Sequence, residues 1–301
     1  MIRALILILL AGLPVSQVVA ADERKPLFRD HSVLKAVLTA PISQTYAQRN
    51  SDVRLYFPGQ WSYIDLSGET QRLDVSIRIR GNFRRAYCEL PPIRLNFKKS
   101  QVGGTLFSGQ DKLKLVAPCK EGNRYQQYVI LEYLAYKMYQ LLTDNSFTVR
   151  LVRLSYVDRD EELDPWTDIA FVIEDDKDMA RRQDLDRVNV ESVLYSQLVH
   201  AKVAVLQLFQ LMIGNNDYSV IKPSGDDDCC HNIELLGYED DDQVVMPDES
   251  IIPVPFDFDF SGLVNATYAA PPSQIPVRDV RFRYFYGLCV PRPILDQAIA
   301  E

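Results

Sequence analysis

The chain of 301 residues has little histidine, few cysteines and, beyond its first residues, no long apolar run. Its three histidines, His31, His200 and His231, stand far apart, and no Cys-x-x-Cys occurs, so there is no zinc pattern. After the N-terminus no apolar stretch approaches the roughly 18–20 residues that a membrane helix needs. Basic residues are outnumbered: 33 Lys and Arg face 41 Asp and Glu, a net charge of −8. That balance disfavours nucleic acid, which rewards basic stripes, and equally disfavours anionic membrane surfaces. There is no internal repeat and no low-complexity tract apart from acidic clusters at 226–228 and 240–242. Those clusters lack the glycine and ligand spacing of an EF-hand loop and read as solvated acidic loops.

What is present begins with a secretory signal. Arg3 supplies the positive end, Ala4 to Leu13 the apolar core, and Val18-Val19-Ala20 the small residues for cleavage before Ala21. The protein is therefore expected to be exported, to the periplasm or the cell exterior. Removing residues 1–20 takes away one arginine and no acid, so the net charge becomes −9. In an oxidising compartment some of the five cysteines should pair, and an odd count leaves at least one over. Cys88 and Cys119 are the preferred pair, because each borders a strand-like segment of the same region. Cys229-Cys230, beside His231, reads as a loop with one disulfide partner and one free thiol, with a soft metal as the other reading.

With 47% hydrophobic and 25% charged residues, the chain can bury a sizeable core. Residues 22–50 are mixed, with an amphipathic opening at Val33, Val37 and Leu38 that Pro41 cuts short. From Asp52 the period becomes two. Val53, Leu55 and Phe57 alternate, then Val75, Ile77 and Ile79, then Ile93, Leu95 and Phe97, then Leu113 and Leu115. Gly59, Gly68, Gly81, Pro91-Pro92 and Gly103-Gly104 punctuate these strands, which together predict an antiparallel meander. Its polar face carries Arg78, Arg80, Arg84, Arg85, Arg94, Lys98, Lys112 and Lys114.

Helical spacing of Val129, Leu131, Leu134, Ala135, Met138, Leu141 and Leu142 predicts a helix over 124–142, with Glu132 its one acid. Strands are expected at Val149–Val157 and Ile169–Ile173, a solvated helix or linker at 174–191, and a centrally buried helix at 192–213. A last helix should start near Arg292. The expected organisation is a signal peptide at 1–20, a sheet-rich part at 21–175 and a helical part at 176–301.

The stretch from Gly214 to Gly262 carries the chemistry. It holds Gly214-Asn215-Asn216-Asp217, then His231-Asn232, then Pro255-Phe256-Asp257-Phe258-Asp259-Phe260. An Asn-Asp pair, a second Asn and an aromatic-flanked Asp-x-Asp are oxygen ligands suited to a hard cation and a phosphate. Strand alternation would put Asp257 and Asp259 on one face, opposite three phenylalanines. His200 and His231 read as structural, and an Asn-Asp turn after a helix also serves as a plain cap.

With Arg80-Gly81-Asn82 and Pro92-Ile93-Arg94-Leu95-Asn96-Phe97, these motifs resemble, remotely and over roughly residues 75–265, the spore-coat protein H (CotH-type) family of secreted atypical kinases. The resemblance implies a protein-kinase-like α+β fold: an N-terminal antiparallel sheet with one packed helix, then a more helical C-terminal lobe. It implies Asp217 as the catalytic aspartate, acting as base, Asn232 and Asp257 on Mg2+ or Mn2+ with Asp259 as a second carboxylate, and Glu132 paired with a sheet cation. ATP and an unknown protein or small-molecule acceptor would be the substrates. The family's lysine before the strand at 93–97 is replaced by Pro91-Pro92, so Arg94, Lys98, Lys112 or Lys114 would hold the phosphates. No glycine-rich phosphate loop precedes the sheet. The competing expectations are a non-catalytic binding module and a transferase using the same cleft for another nucleotide-driven modification.

Overall fold

The computed structural model describes residues 24–65, 67–221, 229–238, 247–285 and 287–300. The expected signal peptide and both acidic clusters lie outside these residues. No helix among them is long and apolar enough to cross a membrane.

Seven strands build the first part: β1 Leu34–Ala40, β2 Phe57–Ile64, β3 Thr70–Ile79, β4 Ile93–Phe97, β5 Lys112–Val116, β6 Val149–Asp158 and β7 Trp166–Ile173. They close into a barrel in the order β1-β2-β3-β4-β5-β7-β6. The expected kinase-like plan, an open antiparallel sheet followed by a helical lobe, is overturned by this closure. The cause lies in residues 34–40, expected as an amphipathic opening. They pair antiparallel with β2 (Leu38↔Trp61) and parallel with β6 over Leu34↔Val152 to Ala40↔Asp158. That seam joins residues more than a hundred positions apart and removes both sheet edges, which an open sheet would leave unpaired.

Alternation along each strand sends one apolar set inward. Leu38, Trp61, Ile77, Leu95, Leu113, Leu115, Val152 and Leu154 are all fully buried inside. Trp61 meets Phe97 and Phe107 edge-on, with ring centroids 6.2 and 5.8 Å away. The strand expected at Val53–Phe57 starts only at Phe57, and Val53 and Leu55 stay exposed. The connections carry the short helices α1 Pro26–Arg29, α2 Ile42–Ala47, α3 Phe83–Tyr87 and α4 Lys99–Val102. Cys88, just after α3, is disulfide-bonded to Cys119, as expected. Cys229 and Cys230 are bonded to each other, which replaces the expected single partner and free thiol, and the free cysteine is Cys289.

Helix α5, Asn123–Leu142, packs on the outside of the barrel against β6 and β7. Its inward face is made of tyrosines: Tyr128, Tyr133, Tyr136 and Tyr139 are buried with Val129, Ala135 and Glu132. Leu134, Leu141 and Leu142, expected in the core, point outward. The rest of the chain forms α6 Asp176–Arg181, α7 His200–Ile213, α8 Arg292–Ala300 and a small sheet ordered β10-β9-β8, with β8 Asp186–Arg187, β9 Ile233–Gly237 and β10 Ile252–Pro255. The segment 174–191, expected as a solvated helix or linker, does hold a short helix, but it adds a strand and is partly buried. Glu174 and Met179 within it are buried. A second core, including Tyr136, Phe171, Phe209, Val254 and Phe258, joins this part to the barrel wall and α5.

Candidate functional site

Three loops meet beside α5, and backbone hydrogen bonds staple them together. Helix α7 ends at Gly214, which takes the left-handed conformation (φ 68°) that a C-cap glycine adopts without strain. The Gly214 carbonyl then accepts from the Gly262 N–H at 3.0 Å, and the Ile213 carbonyl from Leu263 at 2.9 Å. Gly262 packs so tightly that an added Cβ would lie 2.4 Å from the Val280 carbonyl oxygen. The third tie runs from the Phe256 N–H to the Asn232 carbonyl at 3.0 Å. Asp217, Asn232 and the Asp257–Asp259 turn are thereby held as one unit, although the sequence separates them by tens of residues.

The side chains converge within that unit. The Asn232 amide donates to the Asp217 carboxylate at 3.0 Å and to its backbone carbonyl at 2.7 Å. His231, expected to be structural, places Nε2 3.0 Å from Asp217 Oδ1. Asp217 is held from behind by its own N–H, which donates to Asn215 Oδ1 at 3.0 Å. Asp257 and Asp259 do not lie on one strand face as expected: β10 stops at Pro255, and Asp257 sits at φ 62°. The reason is Phe258, fully buried with Tyr136 and Phe209 at centroid distances of 4.7 and 5.6 Å, which pulls the chain into a turn. The Tyr136 hydroxyl oxygen accepts the Asp257 N–H at 2.9 Å and locks that turn. Asn232 is also left-handed, at φ 52°. Non-glycine residues held there cost free energy, and they concentrate at functional sites.

The barrel side supplies cations. Arg78 on β3 lies opposite Arg94 on β4, and Arg94 lies opposite Lys114 on β5, so three cations form a row across adjacent strands. Like charges in that register repel. Lys114 is neutralised by Asp176 at 2.5 Å, while Arg78 stacks over Tyr56 at 4.9 Å. Lys112 is exposed on the outer wall and is not brought to the cluster. The buried Nε atoms of Arg78, Arg84 and Arg94 have no hydrogen-bond partner among the described residues. Burial lowers the Arg80 pKa, Asp257 counteracts, and the nearby charges of Arg84 and Arg94 lower it further.

Glu132 does pair with a cation, and its partner is Arg84 on α3 rather than a strand residue, at 3.6 Å. Asp259 is 3.9 Å from the same guanidinium and accepts from the Tyr268 hydroxyl at 3.0 Å. Glu132 and Asp259 are buried, whereas Asp217, Asn232 and Asp257 remain partly open to solvent. Burial first, then the Asp257 carboxylate, pushes Asp259 up to about 7 against Arg84 and Tyr268. Burial and then Asp259 raise Glu132 well above the usual carboxylate range. For Arg84, burial opposes the charge, but Tyr268, Asp259 and Glu132 outweigh it, so the pKa is raised. The cluster is a network of charges removed from water, with open carboxylates at its rim.

Among the described residues no group of three or more His, Cys, Asp or Glu is arranged to hold a metal. Mg2+ is ordinarily bound by one or two carboxylates, with phosphate oxygens and waters completing its shell. Asp257 and Asn232 fit that demand. Both are oxygen donors, both are fixed by backbone ties, and the Asn232 nitrogen is already spent on Asp217, which leaves its oxygen as the donor. Asp259 stands two residues on as a buried second carboxylate.

Sequence reasoning named Arg84 only as one of the sheet's polar-face cations and missed Tyr136, Tyr268 and the contact of His231 with Asp217. Tyr136 had a usable signal, because it stands four residues after Glu132 and so shares its helix face. Arg84 and Tyr268 had none, since only the fold brings them to Asp259. Neither a scan against protein-family models nor a search of curated proteins matches this chain to a known protein.

Proposed function

We propose that the chain is an exported, CotH-like phosphotransferase that moves a phosphoryl group from ATP, with Mg2+ or Mn2+, to an acceptor hydroxyl. The observation that carries this reading is the meeting of Asp217, Asn232, Asp257 and Asp259 with Arg80, Arg84 and Glu132 from the barrel side. Phosphoryl transfer asks a protein mainly for positioning and for neutralisation of negative charge. Arg80 and the under-satisfied Arg94 supply positive charge for the phosphates. Asn232 and Asp257 would hold the metal, which supplies further charge neutralisation on the phosphates. Asp217, oriented by Asn232 and His231, accepts the hydroxyl proton as the acceptor oxygen bonds to the γ-phosphorus. The bond from that phosphorus to the bridging oxygen breaks, and ADP leaves with the electron pair. Export is supported by the N-terminal signal pattern and by the Cys88–Cys119 disulfide, a bond that belongs to oxidising compartments.

A non-catalytic binding module is the second reading, favoured by the tie of Arg84 to Glu132 and Asp259, which leaves that cation less free for phosphate. Thermal melting with ATP, with and without Mg2+ or Mn2+, separates the two. Ligand at 100 times its Kd should stabilise the native state by about 2.7 kcal/mol. The phosphotransferase reading expects a metal-dependent rise in Tm that Asp257→Ala abolishes. It also expects Asp217→Asn to keep the rise but lose ATP turnover. No shift with any nucleotide or metal would leave only the binding module.

A further inference from the structure

Beside the carboxylates lies a group of aromatic rings that the proposed chemistry does not use. Phe83 and Tyr87, one turn apart on α3, stack with centroids 5.2 Å apart and planes 14° from parallel. Phe260 meets Phe83 edge-on at 5.3 Å, and Tyr268 lies 5.9 Å from Phe83 and 5.6 Å from Tyr87. The group is not a closed satellite core, because Phe83 is 46% and Tyr87 43% exposed. It is continuous with the site through two residues: Phe260 follows Asp259 in the chain, and the Tyr268 hydroxyl bonds the Asp259 carboxylate. It is also bordered by cations. Arg84 and Arg85 follow Phe83 directly, and the Lys120 ammonium lies 5.4 Å from the Tyr87 ring centroid.

From this juxtaposition we infer that the Phe83–Tyr87 platform stacks the nucleobase of the nucleotide whose phosphates lie toward Arg80 and Asp257. The inference rests on the phosphotransferase reading and deepens it. An open aromatic surface joined to a basic, carboxylate-lined cleft suits a ligand that is flat and aromatic at one end and polyanionic at the other. A nucleoside triphosphate has that form. Stacking uses the π-face that every base possesses, so it gives affinity without strong choice among bases. ATP and GTP should therefore bind alike.

The test compares ATP, GTP and inorganic tripolyphosphate, each with Mg2+, by calorimetric titration of the wild type, Phe83→Ala and Phe83→Leu. Loss of one base–aromatic stack is worth about 1–3 kcal/mol. ATP and GTP should accordingly bind the wild type about five- to a hundredfold more tightly than tripolyphosphate. Phe83→Ala should shrink that ratio toward one and leave tripolyphosphate affinity unchanged. Phe83→Leu keeps an apolar side chain of similar size on α3 and should lose the ratio as well, which guards against a folding artefact. Equal binding of ATP and tripolyphosphate to the wild type overturns the base platform while the phosphate site stands. So does an ATP preference that survives both substitutions. If neither ATP nor tripolyphosphate binds, the phosphotransferase reading fails and the platform with it. A preference for ATP over GTP of a hundredfold would also overturn it, because stacking alone does not discriminate so strongly.

Discussion

The interior of the barrel and the cleft beside α5 are both buried, yet they are built from opposite materials. Inside the barrel, Leu38, Trp61, Ile77, Leu95 and Leu113 are fully shielded from solvent and belong to one large apolar cluster. In the cleft, Glu132 and Asp259 are buried and lie 3.6 and 3.9 Å from the Arg84 guanidinium, and Glu132 Oε1 and Arg84 Nε lack hydrogen-bond partners among the described residues. Apolar burial stabilises a fold at little risk, whereas burying charge costs several kcal/mol per ion that pairing only partly repays. A chain that spends its barrel on stability and tolerates a charged cleft is holding that cleft for a purpose other than stability.

Five substitutions test the contrast, and the largest effect belongs to the barrel. Trp61→Ala should destabilise by about 3–5 kcal/mol, the usual loss for a large aromatic in a core. Urea unfolding would measure it, and a loss below about 1 kcal/mol would mean that the barrel is not the principal core. The cleft comes next. Arg84→Met alone leaves Glu132 and Asp259 buried without their cation and should cost about 3 kcal/mol. Adding Glu132→Leu should recover part of that loss, because an apolar pair replaces an uncompensated acid. If the double variant were no more stable than the single one, the cleft charges would be contributing to stability after all.

The smallest effect concerns two barrel acids with opposite shifts. Burial works to raise Asp158, but hydrogen bonds from Ser43 and Ile42 at the start of α2 outweigh it and hold its pKa below the usual value. Burial raises Asp168, with the bond from Trp166 opposing. The signs therefore differ. Asp158 contributes stability that is complete above the ordinary carboxylate pKa and is lost as pH falls through its lowered value. Asp168 imposes a penalty that is complete above its raised pKa and is relieved as pH falls. At pH 7, Asp158→Asn should lose about 1–2 kcal/mol, as removal of a helix cap does. Asp168→Asn should be neutral or slightly stabilising there. Urea melts at pH 7, 5 and 3 would show the Asp158→Asn deficit shrinking toward acid, and a pH-independent deficit would mean that the cap acts without its charge.

Strands β3 to β6 were legible because each has one buried face, and Val75, Ile77 and Ile79 or Ile93, Leu95 and Phe97 display the period of two that such a face demands. Strand β1 was not. Leu34, Ala36, Leu38 and Ala40 point inward, but two alanines give a weak alternation, and its partners lie far along the chain. Helix α5 was placed correctly, and Val129 and Ala135 are buried as expected, but tyrosines took the core positions expected for Leu134, Leu141 and Leu142. The motif residues Asp217, Asn232, Asp257 and Asp259 were read from residue types alone, whereas the strand expected at 256–260 was broken by the burial of Phe258.

The sequence by itself determined the local pieces: the period of most barrel strands, the extent of α5 and the oxygen-ligand character of the 214–262 stretch. Each depends on spacing or chemistry within a few residues, or on what a residue type can do anywhere. Tertiary structure alone decided that the sheet closes, that Arg84 rather than a strand cation meets Glu132, and that Tyr268 reaches Asp259. Those outcomes turn on which distant surfaces exclude water together, a free energy summed over the whole chain and carried by no single segment.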